Sequence, residues 1–426
     1  MKYVIIGNSA AGVGAVEAIR KNDVTGQITI ITDEPHHTYS RPLISYLLLG
    51  KTTRERMKYR DDGFYTEYGC ELLRSKRVTS IDLGDKAVRC ADGSGVPYDK
   101  LLVAAGSSPL VPPMEGLEQV KNKYTFSSLD DALALGDALR PDARVLIIGA
   151  GLIGLKCAEG IAARVGEVNV VDLAPKVLSS ILDDESAARA REHLEQNGLT
   201  FYLGDSVKLF DGNTANLQSG ARVEFDVLVL AVGVRPNTAL VGDIGGAVGR
   251  GIVINEYMET SIPDIYAAGD CTESVDISTG DTKVMALLPN AYMQGECAGF
   301  NMSGIRYPFD KAIPCNAIGF FGIHMITAGS YTGDTYFETD GENYKKLFYR
   351  DNTLRGFILI GPKPGHGSAA GGASGKKPAY EKAGVYTSLI RERTPLDTID
   401  FGLICKTPGL MAFSKKTREQ KLGGEQ

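Results

Sequence analysis

One structural unit is written twice in this chain. "YVIIGNSAAGVGAVEAIR", with "QITIITDEP" behind it, and "VLIIGAGLIGLKCAEGIAARVGEVNVVDLAP" share an apolar strand, a glycine turn, an apolar helix, a second strand and a closing acid, in that order. The leading glycines, Gly7 and Gly149, stand 142 positions apart. A second echo follows each copy: "LLVAAGSSP" (101–109) returns as "LVLAVGVRPN" (228–237). Self-similarity of this kind marks a repeated supersecondary unit. Two nucleotide folds in one chain are its simplest reading. In the first copy the spacing of Ala15, Ala18 and Ile19 predicts a helix over 12–21 that returns by a right-handed crossover to the parallel strand "ITII". In the second copy the helix is expected over 152–164.

A glycine turn between a buried strand and a helix brings backbone amides at the helix N-terminus close to a pyrophosphate, where the helix dipole adds a favourable field. "GAGLIG" (149–154) carries all three glycines of G-x-G-x-x-G, namely Gly149, Gly151 and Gly154, with Ile153 before the last. Alone this motif is weak. After a strand, before a helix, and with Asp172 placed 18 residues past Gly154 at the end of the next strand, it is a strong dinucleotide signal. Asp172 is suited to bond a ribose 2′-hydroxyl and to repel a 2′-phosphate, which favours NADH over NADPH. The first turn, "GNSAAG", keeps Gly7 and Gly12 but has Ser9 where the second glycine normally permits the closest approach, and Ala11 next to last. A serine hydroxyl there can donate to phosphate, at the cost of a Cβ near the ligand; a plain structural turn is the competing reading. Asp33 or Glu34, at the end of the second strand, supports the nucleotide reading, although an exposed acid after a strand is common.

At 426 residues the chain exceeds what one hydrophobic core usually serves, so two or three domains are expected. Its 50 glycines, well above the usual ~7%, gather at the ends of apolar runs and so suggest many tight strand-to-helix turns. A formal charge of −6 gives no support for nucleic-acid binding or a basic membrane-surface patch. Seven scattered cysteines with no C-x-x-C indicate neither a disulfide framework nor a zinc or iron–sulfur site, and point to a reducing compartment. The five histidines show no ligand spacing beyond the adjacent pair His36 and His37, so no metal is expected. No run approaches about 18 apolar residues, and "KYVIIG" follows the first residue without a basic n-region, which leads to the expectation of a soluble, cytoplasmic protein.

Past the second echo, "GIVINEYMETSIPDIYAAGDC" reads as two short strands and "LPNAYMQGECAGFNMSG" (288–304) as an amphipathic helix. From about 310 the pattern changes to β-like runs, "YKKLFYR" and "LRGFILIG", and a helix "AGVYTSLIRERTP"; the Gly/Ser/Lys-rich stretch 361–380 between them reads as a mobile surface loop. The expected fold class is α/β, with two Rossmann-like nucleotide-binding domains and a C-terminal α+β domain.

The ordered set "GNSAAG", "LLVAAGSSP", "GAGLIG", "LAVGVRPN" and "YAAGD" resembles the FAD-dependent pyridine nucleotide-disulfide oxidoreductase superfamily, with its glutathione reductase-like core. "YSRPLISYLL", "PNAYMQGECAGFNM" and "YTSLIRERTPLDTIDF" are similar to the branch of rubredoxin and ferredoxin reductases and the flavin domains of nitrite reductases. The resemblance implies FAD on the first copy and NAD on the second. It implies an FAD-binding domain over 1–113 and 241–309, an NAD-binding domain over 114–240, and a C-terminal domain, 310–426, for the acceptor side or a homodimer interface. By the same resemblance Asp270 bonds the flavin ribityl chain, Val78, Ala105 and Gly106 lie against FAD, Leu288 sits near the flavin ring, Arg41 contacts the cofactor, and Gly233 belongs to the NAD site. The competing reading of Asp270, a helix N-cap, is partly compatible with that role.

Three positions depart from that branch. Tyr46 takes the place of a frequent lysine near the flavin, Ser127 that of an arginine, and Lys156 that of a glutamate common after the NAD-site glycines. Lys156 also reads as an ordinary solvated residue. There is no cysteine before Cys70, whereas disulfide reductases of the superfamily pass electrons to a cysteine pair near residues 40–42. Thiol–disulfide exchange requires a thiolate, which Ser40, Arg41 and Pro42 do not provide. Electrons are therefore expected to pass from NADH to FAD and on to a small carrier of the rubredoxin or ferredoxin type, or to oxygen or a quinone. Two competing readings are an NADH-responsive redox sensor that binds a partner, and a disulfide or peroxide reductase using a distant cysteine.

Overall fold

The computed structural model describes residues 1–362 and 379–406. Most of the stretch expected to be a surface loop, residues 363–378, lies outside the described residues.

The chain opens with β1 (Lys2–Ile6), α1 (Ala10–Asn22) and β2 (Gln27–Ile31). It continues through α2 (Ile44–Leu48), β3 (Cys70–Leu73) and β4 (Lys100–Val103). The second copy runs from β5 (Lys123–Thr125) and α3 (Leu129–Ala138) into β6 (Arg144–Ile148), α4 (Leu152–Ile161) and β7 (Glu167–Asp172). After α5 (Asp184–Gln196) come β8 (Leu199–Leu203), β9 (Val227–Leu230), β10 (Ile265–Ala267) and α6 (Leu288–Met302). The expected α/β class holds. Each copy builds a five-stranded, all-parallel sheet, ordered β10-β4-β1-β2-β3 in the first and β5-β9-β6-β7-β8 in the second. Strands β1 to β4 thus correspond in order to β6 to β9. Their near-continuous Val, Ile and Leu runs are what sheets covered on both faces require; Val4, Ile5, Leu146 and Ile147 are almost wholly buried.

Side-chain size decides how α1 is covered. Its buried residues are mostly Ala and Gly, and α6 presents Ala291, Gly295, Ala298 and Gly299. A Cβ on Gly295 would lie 2.0 Å from the Ala11 carbonyl oxygen, so the two helices meet backbone to backbone. α4 ends at Ile161 and finishes the expected span as a 3₁₀ turn, Ala162–Arg164.

The chain falls into two compact units, the first made of Met1–Pro175, Gly198–Val275 and Thr282–Asp310. The second takes in Lys176–Asn197, and with it α5, then Asp276–Asp281 and the described residues from Lys311 onward. Its sheet consists of β11 (Cys315–Phe320), β12 (Ile323–Gly329), β13 (Asp334–Asp340), β14 (Asn343–Arg350) and β15 (Thr353–Pro362). The order is β11-β12-β15-β14-β13, antiparallel throughout. β14, β15 and α7 (Ala383–Arg391) are the two strands and the helix anticipated there. Leu347, Phe357 and Leu359 pack with Tyr386, Leu389 and Ile390 in its core.

Candidate functional site

The two glycine turns leave β1 and β6 alike. Gly7 and Gly149 have φ of 119° and 116°, conformations that favour glycine. A Cβ would stand 2.1 Å from the Ala104 carbonyl oxygen at the first and 2.3 Å from that of Ala231 at the second. Gly12 and Gly154 press on the carbonyls of those two leading glycines. At the middle position Gly151 faces open space, and its counterpart Ser9, although the N-cap residue of α1, makes no side-chain cap hydrogen bond. Ala11 is buried in α1 and Ile153 half-buried in α4.

Capping separates these helices from others in the chain. α3 opens with a reciprocal box in which the Ser128 hydroxyl accepts from the Asp131 amide and the Asp131 carboxylate from the Ser128 amide. At α5 the Asp183 carboxylate accepts from the Ser186 amide, with Asp184 and Glu185 in the first turn. α1, α4 and α6 have neither a side-chain cap nor a first-turn acid. Their end amides and positive dipole ends are available to an anion.

Beside the first turn lies a polar cavity lined by Asn8, Ser9, Thr32, Glu34, His36, His37, Tyr39 and Arg41. Glu34 and Arg41 form an ion pair across it, and Arg41 also donates to the Ser127 carbonyl at 3.2 Å. Ser127, read in the sequence as standing in an arginine's place, thus accepts an arginine through its backbone. Asn8 Oδ1 accepts from the Tyr65 hydroxyl at 2.9 Å. His37 Nε2 is buried without a hydrogen-bond partner. An orphaned buried nitrogen beside a polar cavity is a group that a bound ligand would satisfy. Of the two acids at the end of β2, the tertiary structure brings Glu34 to the cavity; Asp33 is exposed and lies outside its lining. Val78 packs half-buried against the core that contains Ile6 and Ile31.

The second echoes turn out to be bonded to each other. Ser107–Pro109 and Val234–Pro236 pair antiparallel, and the Asn237 side chain donates to the Ala105 carbonyl at 2.8 Å while its amide donates to that of Gly106 at 3.0 Å. Gly106 and Gly233, both with positive φ, face open space. Asp270, just after β10, accepts from the Ser107 hydroxyl at 3.4 Å. Burial raises its carboxyl pKa above the ordinary range, and the Arg41 charge and the Ser107 bond offset only part of that rise. Leu288 opens α6, half-buried against the core under α1. At the second turn Asp172 accepts from the Ala150 amide at 2.5 Å and from the Ala174 amide at 2.7 Å, which fixes its carboxylate beside the glycine turn. Lys156 is not solvated: it pairs with Glu159 and lies over Tyr46, a partner missed in the sequence although i,i+3 spacing on a helix offered the signal.

All seven cysteines are free. Burial pushes the thiols of Cys70 and Cys405 up to about 11 and those of Cys271 and Cys297 up to about 12, and raises Cys157 and Cys315 as well. Burial thus favours the thiol, the unreactive form, at these six positions. Among the described residues no group of three or more His, Cys, Asp or Glu is placed to hold a metal. Nor is any helix among them long and apolar enough to cross a membrane.

Residues 1–295 match the family described as pyridine nucleotide-disulphide oxidoreductase. The chain belongs to that family, and it is an oxidoreductase. It is 32% identical to the NADH-dependent phenylglyoxylate dehydrogenase subunit epsilon of Aromatoleum evansii, over 84% of this chain and 88% of that one. With the rubredoxin-NAD(+) reductase of Pseudomonas putida it shares 29% identity over 72% of this chain and 81% of the relative. Against the nitrite reductase [NAD(P)H] of Bacillus subtilis (strain 168), 32% identical, it matches 84% of its own length but spans only 45% of the longer protein. The fold is that of the reductase in a crystal structure of a covalent putidaredoxin reductase–putidaredoxin complex, with a TM-score of 0.83, 24% identity and 95% of both chains covered.

Proposed function

We propose that this chain is the FAD-dependent NADH:acceptor reductase of an electron-transfer system whose acceptor is a small iron–sulfur carrier. One observation supports it above the rest: two glycine turns of the same geometry, each opening an uncapped helix, are joined in one compact unit by the pairing of their second echoes, with no thiol before Cys70 to relay electrons. Bound FAD would supply a hydride acceptor for NADH and an outlet for electrons singly or in pairs.

The chain's own residues bind and orient. In this reading 1–113 and 241–309 hold FAD, 114–240 holds NADH, and the C-terminal residues from 310 shape the acceptor side. The free amides of α1 and the hydroxyl of Ser9 hold the FAD pyrophosphate, Glu34 its adenosine ribose and Arg41 its negative charge. Asp270 takes the hydroxyl-rich flavin chain, with Ala105, Gly106, Val78 and Leu288 as the surrounding wall. The free amides of α4 at Gly151 and Ile153 hold the second pyrophosphate, with Gly233 opposite. Asp172 accepts from a ribose 2′-hydroxyl, and a 2′-phosphate would bring negative charge against its carboxylate. Hydride transfer of this type needs ring alignment more than an acid or a base. The nitrite reductase and rubredoxin reductase likenesses support an external acceptor, while the absence of any disulfide among the seven cysteines and the burial that raises six of their thiols argue against a dithiol.

Anaerobic mixing of the flavin-loaded protein with NADH tests the proposal. The yellow absorbance should bleach rapidly and return when oxidised rubredoxin or a ferredoxin is added. A reduced protein that no such carrier reoxidises faster than air does would overturn the acceptor assignment in favour of an NADH oxidase. Material that stays colourless after FAD reconstitution would overturn the whole reading.

A further inference from the structure

A short helix beside the first cavity meets the helix of the second cofactor turn within the first unit. α2 begins three residues after Arg41, which lines the first cavity, and α4 is capped by Gly151 of the second turn. Their contact is close: a Cβ on Gly160 of α4 would stand 2.9 Å from the Ser45 carbonyl oxygen of α2. Arg164, just past α4, donates to the Leu48 carbonyl at 3.4 Å and to the Gly136 carbonyl at 3.0 Å, which closes the far end of the contact.

At its near end sits a buried charge. The Lys156 ammonium lies 4.5 Å from the centre of the Tyr46 ring and forms an ion pair with Glu159; the two charged side chains are only 13% and 8% exposed. Taking an ammonium and a carboxylate out of water is costly, and well-packed apolar side chains of similar size hold helices together as well or better. What a buried pair adds is geometry. A cation over a ring with a carboxylate behind it has one favourable arrangement, whereas apolar side chains slide.

We infer that Lys156, held by Glu159 and seated on Tyr46, is a positioning residue that fixes α2 against α4 and so sets the separation of the two cofactor turns needed for hydride transfer. This rests on the proposed NADH-to-FAD reading. It acts through helix register, two residues past the last glycine of the second turn, and accounts together for the aromatic at 46 and the cation at 156.

The experiment compares Lys156→Met, Tyr46→Leu, the pair of changes combined, and Lys156→Arg, all flavin-loaded and mixed anaerobically with increasing NADH. Lys156→Met and Tyr46→Leu should each lower the limiting rate of flavin bleaching by about tenfold or more, since misplacement by about 1 Å can cost about a hundredfold. The NADH dissociation constant and bound FAD should stay within about twofold. The combined variant should be no slower than the worse single one, because both remove the same contact. Lys156→Arg should keep most of the rate. A second measurement needs no turnover: urea unfolding of the flavin-free proteins should show coupling between positions 46 and 156. If the wild-type flavin bleaches with NADH while Lys156→Met and Tyr46→Leu keep the full limiting rate, or lose it only through weaker NADH binding, the inference fails and the functional reading stands. If the wild-type flavin does not bleach at all, the functional reading fails first.

Discussion

At the scale of single residues, Asp172 and Asp270 are both carboxylates at strand ends, yet their surroundings set them opposite tasks. Asp172 is held by the amides of Ala150 and Ala174, so it keeps its place whether or not a nucleotide is present. Replacing it with alanine removes a charged acceptor worth about 1.5–3 kcal/mol. The kcat/KM for NADH should then fall at least about tenfold while that for NADPH rises, read from steady-state kinetics with both cofactors. No change in the NADPH-to-NADH ratio would remove Asp172 from the ribose site. Asp270 is a burden when no ligand is bound. Burial raises its folded pKa above the ordinary value of 3.8, so the folded protein holds a proton that the unfolded chain has released. The stability linked to that proton is complete below 3.8 and is lost as pH rises through the raised folded value. Asp270→Asn should therefore raise the melting temperature of the flavin-free protein at pH 7, flatten its stability profile on acidification, and weaken FAD binding. A flavin-free Asp270→Asn protein that melts lower than wild type would show that the buried charge is not a cost.

Among the elements, α1 and α6 carry a clear test. Gly295 has no room for a methyl group against Ala11, so Gly295→Ala should cost about 1–3 kcal/mol in urea unfolding through overpacking. It should also weaken FAD binding, because α1 opens at the first turn; an unchanged midpoint would mean that the helices separate at little cost. The same elements show which parts of the fold could be read from letters. The spans of α1, α4 and α6 followed from apolar spacing and flanking glycines. α3 and α5 went unread although Ser128 with Asp131, and Asp183 with Asp184 and Glu185, are ordinary N-terminal signals. Both bury few and mostly small side chains, so their apolar stripe is thin. α5 has acidic and basic residues over most of its surface and buries only Ser186, Ala187, Ala190 and Leu194.

For the whole molecule, the expectation is linkage. A ligand that binds only the folded chain stabilises it by about 4 kcal/mol at a thousandfold excess over its dissociation constant. FAD should raise the unfolding midpoint of the flavin-free protein, and a shift no larger than the same concentration of AMP produces would mean that the flavin half finds no site. The sequence alone determined the repeat, both glycine turns and the parallel pairing of β1 with β2, because each depends on local rules: a positive φ, a missing Cβ, a buried apolar run. It also showed that no cysteine precedes Cys70. Tertiary structure alone decided that Glu34 rather than Asp33 reaches the cavity, that the two second echoes pair with one another, and that Lys156 is buried with Glu159 and Tyr46. Those outcomes depend on which surfaces meet in space, and residues far apart in the chain meet only once the backbone has closed around them.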